Sequence, residues 1–331
     1  MAFSRKNELT EPSGRTSVDV DWADTKVSTT HVGEKLAVTD EIRQIVTVVL
    51  PVLNEETAIG PLVDQIKLHG YSHILVVDGY SGDRTVEVAR ARETEVVSQW
   101  GVGKAGALLT AFSIVVTPLL LVMDGDGSYD PKDIDKFVVL MDRFDLVKGV
   151  RSKSKNMSKL HKVGNWIISK NFDFLFGTEI RDVCSGMYMM RTEVVRKVRL
   201  NKHPLTVEQE VAAEIVDLGG RITTVPISYG RRQGGISKTH TWRQGFLDFW
   251  TNFDLARTHN PIMLFSGVAM LFLIPAIVML GTAAFFYIVL GSFRSGYFLA
   301  GLVLLVLGAQ GFTVATIGVM LKRIERRLSQ R

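Results

Sequence analysis

Leu119-Leu120-Leu121-Val122-Met123-Asp124-Gly125-Asp126 decides the fold. An unbroken apolar run this short reads as a strand buried on both faces. It stops abruptly at two carboxylates separated by one glycine. The same pattern recurs outward from it. Ile45 to Val52 is an apolar run ending at Asn54-Glu55, His73-Ile-Leu-Val-Val-Asp78 is another, and Val96-Val97 marks one more. Between them, Ile59, Leu62, Val63 and Ile66 recur at helical spacing and close at Gly70. An amphipathic stretch follows Arg84, and a further helix follows Lys104. Strands alternating with helices of about 10–15 residues predict an α/β domain with a mostly parallel sheet covered on both faces. Ligands of such sheets bind beyond the carboxyl ends of the strands. Asn54-Glu55, Asp78 and Asp124 all fall there.

This ordered zone runs from about 41 to 238. Residues 1–40 are rich in Ser, Thr, Asp, Glu and Lys and hold no apolar run of the length a signal peptide needs. They are expected to form a disordered tail. Over 239–259, Trp242, Phe246, Phe249, Trp250 and Phe253 recur at helical spacing on one face, with Arg243, Gln244, Asp248 and Asn252 elsewhere. Such a helix either packs on the domain or lies in the plane of a membrane surface, and its position before a hydrophobic span favours the second. Residues 260–331 contain two uncharged stretches, 262–290 and 297–321. Each exceeds the roughly 20 residues a spanning helix needs, which predicts a two-helix transmembrane hairpin. Its loop holds only Arg294, whereas Lys322, Arg323, Arg326, Arg327 and Arg331 follow it. The excess of positive charge places both ends, and the domain before them, on the cytoplasmic side of a multi-pass cell membrane or an endoplasmic-reticulum-type membrane.

The 331 residues carry a net charge of +5. Much of the basic excess lies beside hydrophobic segments, which suits a lipid bilayer and phosphate ligands and argues against nucleic acid. The single cysteine, Cys184, excludes an internal disulfide, and no Cys/His spacing suggests zinc. The sequence is compatible with a homo-oligomer.

Asp124-Gly-Asp126 is suited to a hard divalent cation, Mg²⁺ or Mn²⁺, bridging a diphosphate. The bland alternative is an Asp-Gly turn. Asp78 is placed to accept from a base N–H or a ribose hydroxyl, and Asp83 to cap the next helix. Gly101-Val-Gly103-Lys104-Ala-Gly106 matches the dinucleotide fingerprint literally. A complete strand–helix unit precedes it, whereas that fingerprint belongs in the first one, so a dehydrogenase is disfavoured. Arg231-Arg232 with Gly234-Gly235 and Lys238 forms a basic turn suited to phosphate oxygens.

In order, PVLNEE from Pro51, VVDGYSGDRT around Asp78, GKAGA around Lys104 and DGDGSYDP from Asp124 resemble glycosyltransferase family 2. RDVCSGMYMM from Arg181 and GRRQGGISK ending at Lys238 resemble its dolichyl-phosphate sugar synthase branch. The resemblance covers about 45–240 and implies a nucleotide-binding GT-A domain. It implies a nucleotide-sugar site at Pro51, Leu53, Glu55, Asp78, Lys104 and Asp124, with Asp124 and Asp126 holding the metal. In mannose synthases a glutamine stands where this chain has Ser128. An acceptor-phosphate site is implied at Arg151, Ser185, Arg232, Ser237 and Lys238. His161 and Asn165 are expected nearby.

The implied reaction is inverting transfer of a hexose from the nucleotide-sugar to dolichyl or another polyprenyl phosphate, with Asp126, Asp182, Arg151 and Lys238 as the catalytic group. Such lipid-linked sugars serve protein N-glycosylation or other surface glycans. Gly79 and the DGDGSYDP motif resemble archaeal enzymes using UDP-sugars, which favours UDP-glucose or UDP-N-acetylglucosamine over GDP-mannose. Glu208 or Glu210 is expected to meet sugar hydroxyls. The alternatives are a family 2 enzyme with a glycan or other lipid acceptor, and a non-catalytic membrane scaffold.

Overall fold

A computed structural model of the chain describes residues 38–151, 159–200, 207–232, 241–259 and 261–329. In chain order the elements are α1 (Asp40–Gln44), β1 (Val46–Val52), α2 (Ile59–Leu68), β2 (Ile74–Asp78), α3 (Thr85–Arg90), β3 (Glu95–Ser98), α4 (Gly103–Ile114) and β4 (Leu119–Val122). A single 3-10 turn at Pro131–Asp133 leads into α5 (Ile134–Val138), β5 (Leu146–Val150), α6 (Lys159–Phe176), β6 (Tyr188–Arg191), α7 (Thr192–Val195), α8 (Val207–Asp217) and β7 (Ile222–Pro226). Three long helices end the chain: α9 (Thr241–His259), α10 (Pro261–Leu290) and α11 (Ser295–Ser329).

The apolar runs become the centre of one seven-stranded sheet, ordered β3-β2-β1-β4-β6-β5-β7. All neighbours are parallel except β6, which runs antiparallel to β4 and β5. The sheet is therefore mostly parallel. Val48, Val49, Leu50, Leu120, Leu121 and Val122 are fully buried, each contributing about 1.5–3 kcal/mol of burial. The periodic residues Ile59, Leu62, Val63 and Ile66 are the buried stripe of α2, and Gly70 ends it at φ +86°, where only glycine is unstrained.

The chain leaves β1 toward β2 on one side, and β4 fills the other side of β1. The connections diverge between β1 and β4, and the crevice at a sheet's ligand-binding edge forms at such a switch point. Gly125, just past β4, lies against the end of β1: a Cβ there would fall 2.4 Å from Val52 Cγ1. That close approach tucks the Asp-Gly-Asp turn into the switch-point crevice.

α9 packs against α6 and α8. Its aromatic residues do not share one environment. Phe249 and Phe253 join the core cluster that includes Ile168 and Phe172, whereas Phe246 and Trp250 are exposed at 67% and 62%. The buried centre of the helix is Asn252 and Ala256. The Asn252 amide donates to Ile168 O and Asn171 Oδ1, both at 2.9 Å. The single aromatic face read from the sequence is thus corrected: the stripe straddles the boundary because a small residue and a hydrogen-bonded amide allow closer packing on α6. Beside it, α6 exposes Val163, Trp166, Ile167 and Phe174.

α10 and α11 contain stretches, Leu264–Leu290 and Ser295–Gly318, long and apolar enough to cross a membrane. They pack on each other through small residues. Ala269, Ala276 and Ala283 are buried at seven-residue spacing, and Gly308 and Gly311 lie against Ala269 while Gly301 lies against Leu280. Most of their large side chains, such as Leu271, Ile277 and Ile288, are exposed.

Candidate active site

Two loops wall one side of the crevice. The loop after β1 and the loop after β2 are stitched together: Asn54 N donates to Ser81 Oγ at 2.9 Å, Gly82 N to Asn54 Oδ1 at 2.8 Å, and Glu55 N to Thr85 Oγ1 at 2.8 Å. Asp78, buried at the tip of β2, accepts from the backbone N–H groups of Tyr80 and Ser81. Its carboxylate shapes the loop first. Asp83 accepts from Thr85 N and Oγ1 and from Glu56 N. Burial opposes its charge, but these donors hold it below the usual carboxylate range. Pro51 is half-buried in β1 and Leu53 exposed beside it.

The fingerprint glycines have a packing role. Gly101 and Gly103 adopt φ +102° and +66°, and a Cβ on Gly106 would meet Gly101 C at 2.9 Å. This tight turn starts α4 at the crevice and puts Lys104 in its first turn. Lys104 Nζ forms ion pairs with Asp124 Oδ1 and, at 2.5 Å, with Glu208 Oε1 of α8. Burial disfavours the ammonium, yet Asp124 and Glu208 hold its pKa well above the ordinary lysine value. Glu208 is held below its usual range: burial acts upward and Lys104 outweighs it.

Asp126 is fixed from its own turn. Ser128 donates to Asp126 Oδ1 from its N–H at 3.0 Å and from its hydroxyl at 2.6 Å. Ser128 therefore orients the carboxylate. Gly186 backs the other member of the pair, since a Cβ there would lie 2.3 Å from Asp124 Oδ2.

The segment after β7 is strapped across this turn. Tyr229 bridges to Tyr129, their rings lie edge-to-face at 5.1 Å, and Gly230 N donates to Ser128 O at 2.7 Å. The strap carries Arg232 into the crevice. There its Nη2 pairs with Glu55, and its Nε lies 4.0 Å from Asp126 Oδ2. Glu55 and Arg232, expected at the donor and acceptor sides respectively, are direct partners.

Arg151 at the end of β5 and Asp182 form a buried two-point ion pair, Nε–Oδ2 and Nη2–Oδ1 both 2.7 Å. Burial acts against the guanidinium charge, but Asp182 raises its pKa well above normal. The guanidinium also lies 5.5 Å from the Tyr229 ring centroid. Ser185 is fully buried and its hydroxyl has no hydrogen-bond partner among the described residues. Ser237 and Lys238 lie outside the described residues, as does the side chain of His161 and nearly all of the 1–40 tail.

Lys148 belongs to none of the motifs. It interrupts the apolar strand β5 and is fully buried, donating to Ser185 O at 3.4 Å and Glu208 O at 3.3 Å and lying 4.6 Å over the Tyr188 ring. Burial pulls its pKa down to about 8. A lone charge inside an apolar run was the available signal. Cys184 is a burial-dominated thiol, pushed up to about 12, far from nucleophilic character.

Two oxygen-donor carboxylates one residue apart suit a hard divalent cation. At the crevice, Lys104 bridges the carboxylates of Asp124 and Glu208, and Arg232 pairs with Glu55 and approaches Asp126. Among the described residues no group of three or more His, Cys, Asp or Glu could hold a metal alone.

Comparison with known proteins gives this crevice a family. The chain is 32% identical over 229 residues to glycosyltransferase AglJ of Haloferax volcanii, covering 67% of this chain and 76% of that protein. It is 30% identical to a dolichyl-phosphate hexose transferase of the same organism, covering 56% and 83%. It is 28% identical to a dodecaprenyl-phosphate galacturonate synthase of Rhizobium johnstonii, covering 58% and 61%. Among solved structures, glucosyl-3-phosphoglycerate synthase of Mycobacterium tuberculosis with Mn²⁺, UDP-glucose and phosphoglyceric acid superposes with a TM-score of 0.53 at 19% identity, covering 64% of this chain and 81% of that one. That likeness is one of fold, and it is the GT-A arrangement of a mostly parallel sheet. Residues 47–199, the span from β1 through β6 that builds most of the crevice, match the description Glycosyl transferase family 2, and with these relatives the chain belongs to that family of glycosyltransferases.

Proposed function

We propose that this glycosyltransferase moves a hexose from a nucleotide-sugar to a polyprenyl phosphate such as dolichyl phosphate, at the cytoplasmic face of a membrane. The observation that carries the reading is that the charged crevice and an exposed apolar surface belong to one domain. The carboxylates and cations around Asp124 and Asp126 share one domain with α9 and α6, which expose Phe246, Trp250, Trp166 and Ile167. α9 leads directly into the apolar pair α10 and α11. A polyprenyl tail leaves the bilayer at a cost of about 0.8 kcal/mol per methylene, so the enzyme must meet the phosphate at the surface. Two relatives are named for dolichyl-phosphate and dodecaprenyl-phosphate chemistry. The basic residues Lys322, Arg323, Arg326 and Arg327 in the last turns of α11 and Arg331 beyond it, against Arg294 alone between the helices, favour cytoplasmic ends.

In this reading Pro51, Leu53, Glu55 and Asp78 wall the nucleoside side, and Lys104 and Arg232 meet the donor diphosphate. Asp124 and Asp126 would hold Mg²⁺ or Mn²⁺, which would neutralise charge on the leaving diphosphate. The Arg151–Asp182 pair, with Ser185, Ser237 and Lys238, forms the acceptor side. An oxygen of the acceptor phosphate attacks the anomeric carbon, the bond from that carbon to the diphosphate oxygen breaks, and the nucleoside diphosphate leaves with the electron pair, inverting the configuration. A phosphate monoester is already anionic near neutral pH, so the protein's work is alignment and charge stabilisation. The VVDGYSGDRT and DGDGSYDP motifs favour UDP-glucose or UDP-N-acetylglucosamine.

The test is a panel of UDP- and GDP-sugars incubated with the purified chain, dolichyl phosphate and Mg²⁺ or Mn²⁺, followed by lipid extraction. Sugar in the lipid phase, lost in Asp126→Asn, is expected. Transfer only to a water-soluble glycan would overturn the acceptor assignment.

A further inference from the structure

We propose that Lys104 and Arg232 are the resident counter-ions of the acidic pair, and that cation and nucleoside diphosphate displace them together. Binding of the one is then coupled to binding of the other. This rests on the reading of Asp124 and Asp126 as metal ligands.

Each carboxylate of the pair has beside it a cation that is tied to a second carboxylate outside the pair. Lys104 spans Asp124 and Glu208. Arg232 pairs with Glu55 and holds its Nε, which makes no hydrogen bond among the described residues, 4.0 Å from Asp126 Oδ2. The two cations come from opposite ends of the domain, the first turn of α4 and the strap after β7. The strap is held over the turn by the Tyr129–Tyr229 bridge and by Gly230 N on Ser128 O. A divalent ion arriving alone at Asp124 and Asp126 must come within a few ångströms of an ammonium and a guanidinium, at distances where unit charges interact by several kcal/mol inside a protein. It gains two carboxylates that are already partly neutralised. A diphosphate arriving alone finds two cations already held by carboxylates. When both arrive, the ion takes the carboxylates and the freed ends of Lys104 and Arg232 take the phosphate oxygens. Glu208 and Glu55 retain the two cations throughout, as pivots. Glu208 is thereby a positioning residue acting through Lys104, in place of the sugar contact expected of it.

Such coupling is reciprocal by linkage, and it makes the two pivots and the two cations respond with opposite signs. The experiment uses the full chain in detergent, Mn²⁺ as the probe, free Mn²⁺ read by electron paramagnetic resonance at fixed ionic strength, with and without UDP. Wild type is expected to bind Mn²⁺ at least tenfold more tightly with UDP. Lys104→Met is expected to tighten Mn²⁺ binding in the absence of UDP about tenfold, ~1.4 kcal/mol, and to shrink the gain from UDP. Arg232→Met acts in the same direction with a smaller shift. Glu208→Gln leaves Asp124 as the sole carboxylate partner of Lys104, so it is expected to weaken binding of Mn²⁺ alone. Thermal melts establish that each variant is folded, and Glu208→Gln and Arg232→Met carry the test if Lys104→Met is not. Equal Mn²⁺ affinity with and without UDP, or shifts of the same sign in Lys104→Met and Glu208→Gln, would overturn the proposal while leaving the metal site standing. No Mn²⁺ binding even with saturating UDP would overturn the metal reading, and the proposal with it.

Discussion

Gly186 and Lys148 show how single positions set the crevice. A Cβ on Gly186 would lie 2.3 Å from Asp124 Oδ2, closer than any stable contact, so Gly186→Ala must turn the Asp124 carboxylate away. We expect it to lower kcat/KM for transfer by at least tenfold while shifting the melting temperature little; a near-wild-type rate would show that the carboxylate is free to move. Lys148 acts on stability. Its folded value of about 8 stands below the ordinary 10.5 because burial disfavours the charge. Between those values the unfolded chain binds more protons than the folded one, so stability rises with pH across that window. The cost is complete below about pH 8, at about 3 kcal/mol from roughly 1.4 kcal/mol per pH unit, and disappears above 10.5. Lys148→Met should therefore melt higher than wild type at pH 7, with the gap narrowed to less than half by pH 9.5. A constant gap would mean that packing, not titration, sets the difference. Glu55, Asp78 and the Asp124–Asp126 pair were legible because strands end at them. Their partners were not: Lys104 lies 20 residues from Asp124 in sequence, and Arg232 lies 177 from Glu55, separations that no local pattern reports.

Elements were legible where one physical rule dominates. Both faces of β1, β2 and β4 are buried, so these strands are continuous apolar runs, and α2 shows its buried stripe at helical spacing. The antiparallel β6 was not legible, because Tyr188-Met-Met-Arg191 carries no mark of direction and its pairing is decided by β4 and β5 on either side. α9 was legible as a helix but not in its facing, since the hydrogen-bonding of Asn252 to α6 overrides the aromatic pattern. In α10 and α11 hydropathy marked two long apolar helices, while the contact surface is written in small residues. A Cβ on Gly308 would meet Leu273 Cδ2 at 2.6 Å and Ala269 O at 3.2 Å, and nothing lies within 4 Å of one on Gly281. Close approach of backbones is a main source of helix association where the solvent is as apolar as the side chains. Gly308→Leu should thus lower the unfolding midpoint in detergent by several degrees, and Gly281→Leu should leave it unchanged. Equal effects of the two would sink the small-residue interface.

For the whole molecule, the decisive relation is between the crevice and the apolar surface on the same domain. α6 contributes buried Ile168, Phe172 and Leu175 to the core and exposes Trp166, Ile167 and Phe174. α9 does the same with Phe253 inside and Phe246 and Trp250 outside. α10 begins against both helices, so an apolar surface is continuous from the domain into the hairpin. A patch of this kind on a water-soluble molecule would be an aggregation liability; in the proposed function a bilayer covers it. Phe246→Ser with Trp250→Ser removes two exposed anchors without touching Asn252, Leu255 or Ala256. Each buried aromatic contributes about 1.5–3 kcal/mol, so the double variant should raise the apparent KM for long-chain polyprenyl phosphate in vesicles at least tenfold. With a short-chain, water-soluble polyprenyl phosphate, kcat/KM should stay within about twofold of wild type, and the unfolding midpoint in detergent should not move. The split between the two acceptors separates docking from chemistry: an equal loss with both would place these aromatics in support of the catalytic domain itself, and no loss with either would detach α9 from the membrane.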